Sequence, residues 1–334
     1  MGMTEKVYVT DCEGPVSKND NAYEIADAFL KDGGKLFSLL SKFDDYLGDI
    51  EKIEGYRYGS TLKFILPFLK AAGVTDKDAK EFSKNNMVLI PGVRDTLREI
   101  KNLMKVYMVS TSYRHYIEAI SEYTGMEKEN IFCTEVDFDG YKMGEEERKA
   151  IAFYHERFLE LPFIEWNESG AVRKESRRSI EELKKFFFST LPRLPVFQWM
   201  NKVIPIGGKG KADAIIEITN KNKVSISNVM YVGDSITDLD ALTLVNSGGG
   251  LSVSFNGNSY AVRGAEFVVV NRDAGILKDI AFDFFHYGKE GIRVGKFAPQ
   301  TYVYRKEDSN LEEVIRLSEK IRKEVRGEMI GGLG

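Results

Sequence analysis

The stretch VYVTDCEGPV, Val7 to Val16, decides how the rest of the chain is read. Its opening residues are β-branched or aromatic, as a buried strand requires, and Asp11 and Gly14 end that strand abruptly. Two carboxylates, Asp11 and Glu13, crowd the exit. An acid in such a place is more often a turn former or a helix cap than a catalytic group. Asp11 gains weight only from what recurs further along.

Apolar runs of strand type return at KVYMVST, IFCTEV, NVMYVGD, GLSVSFN and EFVVVN, and helical patterns such as VRDTLREIKNL and KADAIIEITNKN stand between them. That alternation argues for an α/β fold, a parallel sheet covered on both faces. Residues 17–87 depart from it by reading as mostly helical. NAYEIADAFLKDGG is expected to stop at Gly33-Gly34; LFSLLSKFDDYLGD and STLKFILPFLKAAG follow, the latter distorted at Pro67. Residues 145–204 depart again, with two charged helical segments around a loop-like PFIEWNESG, and read as an insertion. Within it Phe186, Phe187 and Phe188 suit packing against the core or a second subunit. Asp139-Gly140 is expected to close a hairpin. DSNLEEVIRLSEKIRKEVRGE is expected as a C-terminal helix followed by a frayed GGLG.

The 334 residues carry a net charge of −4 and 43% hydrophobic residues. Such a balance gives no field to attract nucleic acid or an anionic membrane surface. Two cysteines, Cys12 and Cys133, cannot build a disulfide framework, and no apolar run is long enough to cross a bilayer. A cytoplasmic protein without membrane insertion is the expectation, its N-terminus entering a strand too soon for a signal peptide. The three histidines show no zinc spacing.

Four polar exits carry the chemistry: Asp11 after VYVT, Ser110 after VYMV, Lys211 in the turn GKGKAD, and GDSITD after VMYV. Ligands of open parallel sheets bind beyond the carboxyl ends of the strands, so these four places can converge. Asp234 and Asp238 lie one helical turn apart and can face the same side. Paired carboxylates of this kind suit a hard cation such as Mg²⁺, although Asp238 also suits a helix N-terminus. Lys209 competes with Lys211, and Thr111 and Ser112 with Ser110.

With these elements in this order, DCEGP, VYMVSTS, Lys211 and GDSITD, the chain resembles the haloacid-dehalogenase-like (HAD) hydrolases, in their phosphoserine-phosphatase-like branch. The resemblance implies a Rossmann-like three-layer core from residues 1–16, 88–144 and 205–290, a helical cap at 17–87, an additional helical insertion at 145–204 and a C-terminal extension at 291–334. It implies a Mg²⁺-dependent phosphatase acting on a small phosphorylated metabolite through an aspartyl-phosphate. In it Asp11 would be the nucleophile and Glu13 the general acid and base. Ser110 and Lys211 would hold the phosphoryl group, with Thr111 and Arg57 as further substrate contacts. Asp11, Glu13 (through its main-chain carbonyl), Asp234 and Asp238 would surround the ion. At the base of the cap Asn19, Asp20 and Glu24 join Arg57 as candidates. Two departures stand out: Glu13 is one methylene longer than the family's aspartate, and Pro15 replaces a Thr or Val. The chain also resembles an archaeal HAD group labelled as a subunit of an energy-converting hydrogenase. That likeness implies an alternative, a weak or inactive scaffold in a larger complex, and leaves a homo-oligomer or protein partner open.

Overall fold

The computed structural model describes residues 5–167 and 169–333. The opening residues 1–4 of the first expected core segment and the last glycine of GGLG lie outside them. Among the described residues eight strands form one sheet in the order β3-β2-β1-β4-β5-β6-β8-β7. They are β1 (Val7–Thr10), β2 (Lys105–Tyr113), β3 (Ile131–Thr134), β4 (Val229–Gly233), β5 (Leu251–Phe255), β6 (Phe267–Val270), β7 (Gly295–Ala298) and β8 (Thr301–Arg305). The first six pair in parallel, whereas β8 joins β6, and β7 joins β8, antiparallel.

Residues of the central strands alternate between two apolar layers, as the period of a strand dictates. Tyr8, Met108, Met230 and Val232 face the helices Val93–Lys101, Arg114–Thr124 and Gly275–Tyr287. Val7, Val9, Tyr107 and Tyr231 face Lys209–Asn222 and Leu239–Ser247. Each fully buried side chain of this size contributes about 1.5–3 kcal/mol, so the sheet holds its strand exits in a stiff frame.

The helices of 21–86 and those of 145–202 share one apolar cluster. Phe187 bridges them, its ring centroid 4.5 Å from that of Phe64 and 6.0 Å from that of Phe43. Phe188 stays exposed. The inserted phenylalanines thus pack on the first helical region rather than on the sheet.

Three local expectations are corrected. Gly33-Gly34 does not end the first helix, which stops at Phe29; the pair opens the next one, Gly33–Asp45. A Cβ on Gly33 would lie 1.8 Å from the Ala26 carbonyl oxygen, so the glycine is needed for close approach rather than for termination. Asp139-Gly140 forms a turn but no hairpin, because the next element is the helix Glu145–Leu159 rather than a strand; Asp137 accepts from the Gly140 amide instead, at 2.6 Å. Leu333 of the GGLG end packs into a pocket wall. At Pro67 the helical run breaks as the missing amide requires, into Thr61–Phe64 and Leu66–Ala71.

Candidate functional site

Asp11 follows β1 directly, and its amide donates to the Val232 carbonyl of β4 at 2.8 Å. The first and fourth motif-bearing strands therefore stay in register up to their exits. Thr10 is paired with Met108, so Ser110, just past it, sits almost level with Asp11 on the neighbouring strand. Beyond β4 the chain turns at Ser235, and Asp238 closes a capping box with it. The Asp238 carboxylate accepts from the amides of Asp234 and Ser235, each at 3.0 Å, and from the Tyr231 hydroxyl at 2.6 Å. Asp238 therefore caps a helical turn while also facing the acid cluster.

Lys211 connects the two carboxylates. Its ammonium, fully buried, lies 2.8 Å from Asp11 Oδ2 and 2.7 Å from Asp238 Oδ1. Lys209 of the same turn is exposed. Burial pushes the Asp11 carboxyl up to about 7, with Asp238 and Asp234 adding to the rise and Lys211 opposing it. For Asp238 the attraction of Lys211 and the hydrogen bonds from Lys211 and Tyr231 outweigh burial, so its carboxyl falls below the usual range. The two acids are pushed in opposite directions, Asp11 up by burial and Asp238 down by its donors.

Gly14 lets the first loop meet the fourth. With φ at +109° it adopts a backbone that L side chains rarely take, and a Cβ there would lie 2.1 Å from Asp234 Oδ2. The Glu13 carboxylate turns toward the cap, where Oε1 accepts from the Asn21 amide at 2.7 Å. Burial, reinforced by Asp20, raises its pKa well above the ordinary range.

These groups open onto a cavity of about 100 Å³ lined by Asp11, Glu13, Asp20, Thr111, Asp234 and Arg326 among others. Tyr58, Gly59 and Thr61 roof it. Asp44 shapes that roof by accepting from the amides of Gly59 and Thr61 at 3.1 and 2.9 Å and from the Thr61 hydroxyl at 2.8 Å. Ser110 and Lys211 do not line the cavity. Ser110 is buried, its hydroxyl accepting from the Ser112 amide at 3.2 Å, and Lys211 stands behind Asp11. Thr111 does reach the wall, its hydroxyl donating to the Ile206 carbonyl at 3.0 Å. Arg57 lies outside, half exposed and 3.9 Å from Asp213. Asn19 and Glu24 bind each other, at 2.7 and 2.8 Å, whereas Asp20 caps the helix Asn21–Phe29 and faces the cavity.

Two arginines complete the site from an unexpected direction. Arg322 and Arg326, on the helix Leu311–Arg326, both donate to Asp234 Oδ2, Arg326 at 3.0 Å. One signal for them existed in the sequence: Arg322 continues the face that buries Val314, Ile315, Ser318 and Ile321. A charge on the apolar stripe of an amphipathic helix needs a buried partner.

The donor set fits a hard cation. Asp11, Asp234 and Asp238 can each offer an oxygen within 4.8 Å of the others, and oxygen donors are what such an ion takes. Asp238 is committed to its own partners. Asp234 Oδ1 has no hydrogen-bond donor among the described residues, whereas Asp11 Oδ1 accepts from the Cys12 amide at 2.6 Å and its Oδ2 meets Lys211, so an ion would share the Asp11 oxygens with those donors.

No family model matches the chain, and no curated protein matches it in sequence. Among solved structures it is similar to a gene product of Archaeoglobus fulgidus, with 27% identity, 99% of each chain covered and a TM-score of 0.86. It is also similar to a substrate-bound phosphoserine phosphatase, with 14% identity, 83% of this chain and 97% of that one covered, and a TM-score of 0.50. At that identity the likeness speaks to architecture alone, and that architecture is an α/β, Rossmann-like fold of the kind phosphoserine phosphatase has.

Proposed function

We propose that the protein is a phosphomonoester hydrolase of small phosphorylated metabolites, with Asp11 as nucleophile. The observation that carries this reading is the buried contact of Lys211 with both Asp11 and Asp238 beside Asp234. A carboxylate oxygen of Asp11 attacks phosphorus, and the bond to the leaving oxygen breaks. The departing alkoxide takes a proton from Glu13, whose pKa burial raises. Glu13 then removes a proton from water, whose oxygen attacks the aspartyl-phosphate; inorganic phosphate leaves and Asp11 is regenerated. Lys211 holds Asp11 in place and offsets negative charge.

A divalent ion, Mg²⁺ in this reading, would be held by Asp11 and Asp234 with the main-chain carbonyl of Glu13, Asp238 standing behind them. When bound it supplies positive charge against which a phosphate dianion can approach a carboxylate. Thr111 and Asp20, both on the cavity wall, are the side chains placed to meet substrate. Among the described residues no helix is long and apolar enough to cross a membrane. The scaffold alternative, a subunit of a hydrogenase-type complex, draws support from no comparison.

The test is release of inorganic phosphate by the purified protein from a panel of phosphorylated metabolites with Mg²⁺. Turnover is expected, and Asp11→Asn should lose about a thousandfold or more. An Asp11→Asn protein as active as the wild type would reject the assignment.

A further inference from the structure

The helix Leu311–Arg326 reaches the acid cluster from a part of the chain that carries none of the motifs. Its inner face is fixed by Val314, Ile315 and Ile321 against Val268 and Val270 of the sheet and Val262 of the helix Ser259–Gly264, and the Ser318 hydroxyl donates to the Gly257 carbonyl at 2.7 Å. That anchoring delivers two guanidinium groups, with side chains only 2% and 6% exposed, to one carboxylate oxygen. Arg322 donates to Asp234 Oδ2 and, at 3.0 Å, to the Asp234 carbonyl; its other nitrogens donate to the carbonyls of Gly331 and Leu333 at 3.1 and 3.2 Å. Arg326 donates to Asp234 Oδ2 and to the carbonyls of Lys18 and Asn19, at 3.1 and 2.6 Å, where the chain enters the first helix beyond the sheet.

The charge pattern has a consequence for Asp234. Asp11, Asp234 and Asp238 face the buried cations Lys211, Arg322 and Arg326, and Glu13 and Asp20 on the same cavity wall also act on Arg326. A carboxylate whose Oδ2 already accepts from two guanidinium groups has less negative charge to give an ion at Oδ1, and two positive charges at that range repel a divalent one. We propose that Arg322 and Arg326 are positioning residues that set the cation affinity of the site, because their pairing with Asp234 and the binding of a divalent ion compete for one carboxylate. The coupling is reciprocal: losing an arginine tightens cation binding, and a bound cation loosens the C-terminal helix. Since Arg326 also ties Lys18 and Asn19, the loosening extends to the base of the helices that roof the cavity.

The inference rests on the reading of Asp234 as an ion ligand, and the experiment separates the two. Mn²⁺ binding to the full chain without substrate is followed by electron paramagnetic resonance. Arg326→Gln is expected to bind Mn²⁺ about tenfold more tightly, within the usual range of coupling between linked sites, whereas Arg326→Lys, which keeps the charge, should stay close to wild type. A purely structural role would weaken binding instead. In the wild type, amide hydrogen exchange over residues 311–333 should accelerate with saturating Mn²⁺, a measurement that needs no variant to fold. Unchanged or weaker binding in a folded Arg326→Gln protein, or exchange indifferent to Mn²⁺, would overturn the competition. Mn²⁺ binding that Asp234→Asn leaves intact would instead remove the ligand reading beneath it.

Discussion

Asp11 is placed where its own burial works against its charge. Its carboxyl sits near 7 in the folded chain and near 3.8 when exposed, so between those values the folded state holds a proton that the unfolded state has lost. The Asp11 contribution to stability is therefore full below about 4, and is withdrawn as pH rises toward about 7. Asp11→Asn removes that dependence. In cation-free protein the variant should melt a few degrees higher than wild type at pH 8, with the gap shrinking at pH 5; thermal scans at the two values check this, and a gap independent of pH would contradict it. Lys211 keeps Asp238 as a partner in the variant, so no buried ammonium is orphaned.

At the scale of elements, the inserted helices and the first helical region depend on each other. Phe187 is 3% exposed and lies among Phe43, Phe64 and Phe186. Phe187→Ala would leave a cavity between the two segments, with an expected cost of about 3–5 kcal/mol. Urea denaturation measures it, and a loss below about 1 kcal/mol would mean that the segments pack independently. The roof over the cavity belongs to the same assembly, since Asp44 sits on the helix Gly33–Asp45 and holds Gly59 and Thr61. Loosening Phe187 should therefore disturb the cavity without touching a residue that lines it.

For the whole molecule, the C-terminal part completes both the sheet and the site. A chain ending at residue 310 would uncover Val262, Val268 and Val270 and lose the burial of Val314, Ile315 and Ile321. Roughly 5 kcal/mol of apolar burial goes with those side chains. Such a chain should melt lower and bind 8-anilinonaphthalene-1-sulfonate; an unchanged melting temperature would show that the helix is dispensable.

How much of this the sequence made legible follows from which interactions are local. The parallel strands were readable from their apolar runs, since burial on both faces leaves few other residues admissible, and Asp11, Lys211, Asp234 and Asp238 were readable from order and spacing. Short-range signals misled where a glycine served a distant contact: Gly33 reads as a stop but is required by the Ala26 carbonyl. The antiparallel β7 went unread because it is exposed throughout and carries no apolar pattern. Arg57, expected at the base of the cap as a partner for substrate phosphate, lies off the cavity wall, half exposed and 3.9 Å from Asp213. What the residues determined by themselves was the α/β alternation and the acids at its strand exits. Only the tertiary structure decided that Arg322 and Arg326 share Asp234: the helical period can place Arg322 on a buried face, but which carboxylate it meets, hundreds of bonds away, depends on where packed elements bring the two.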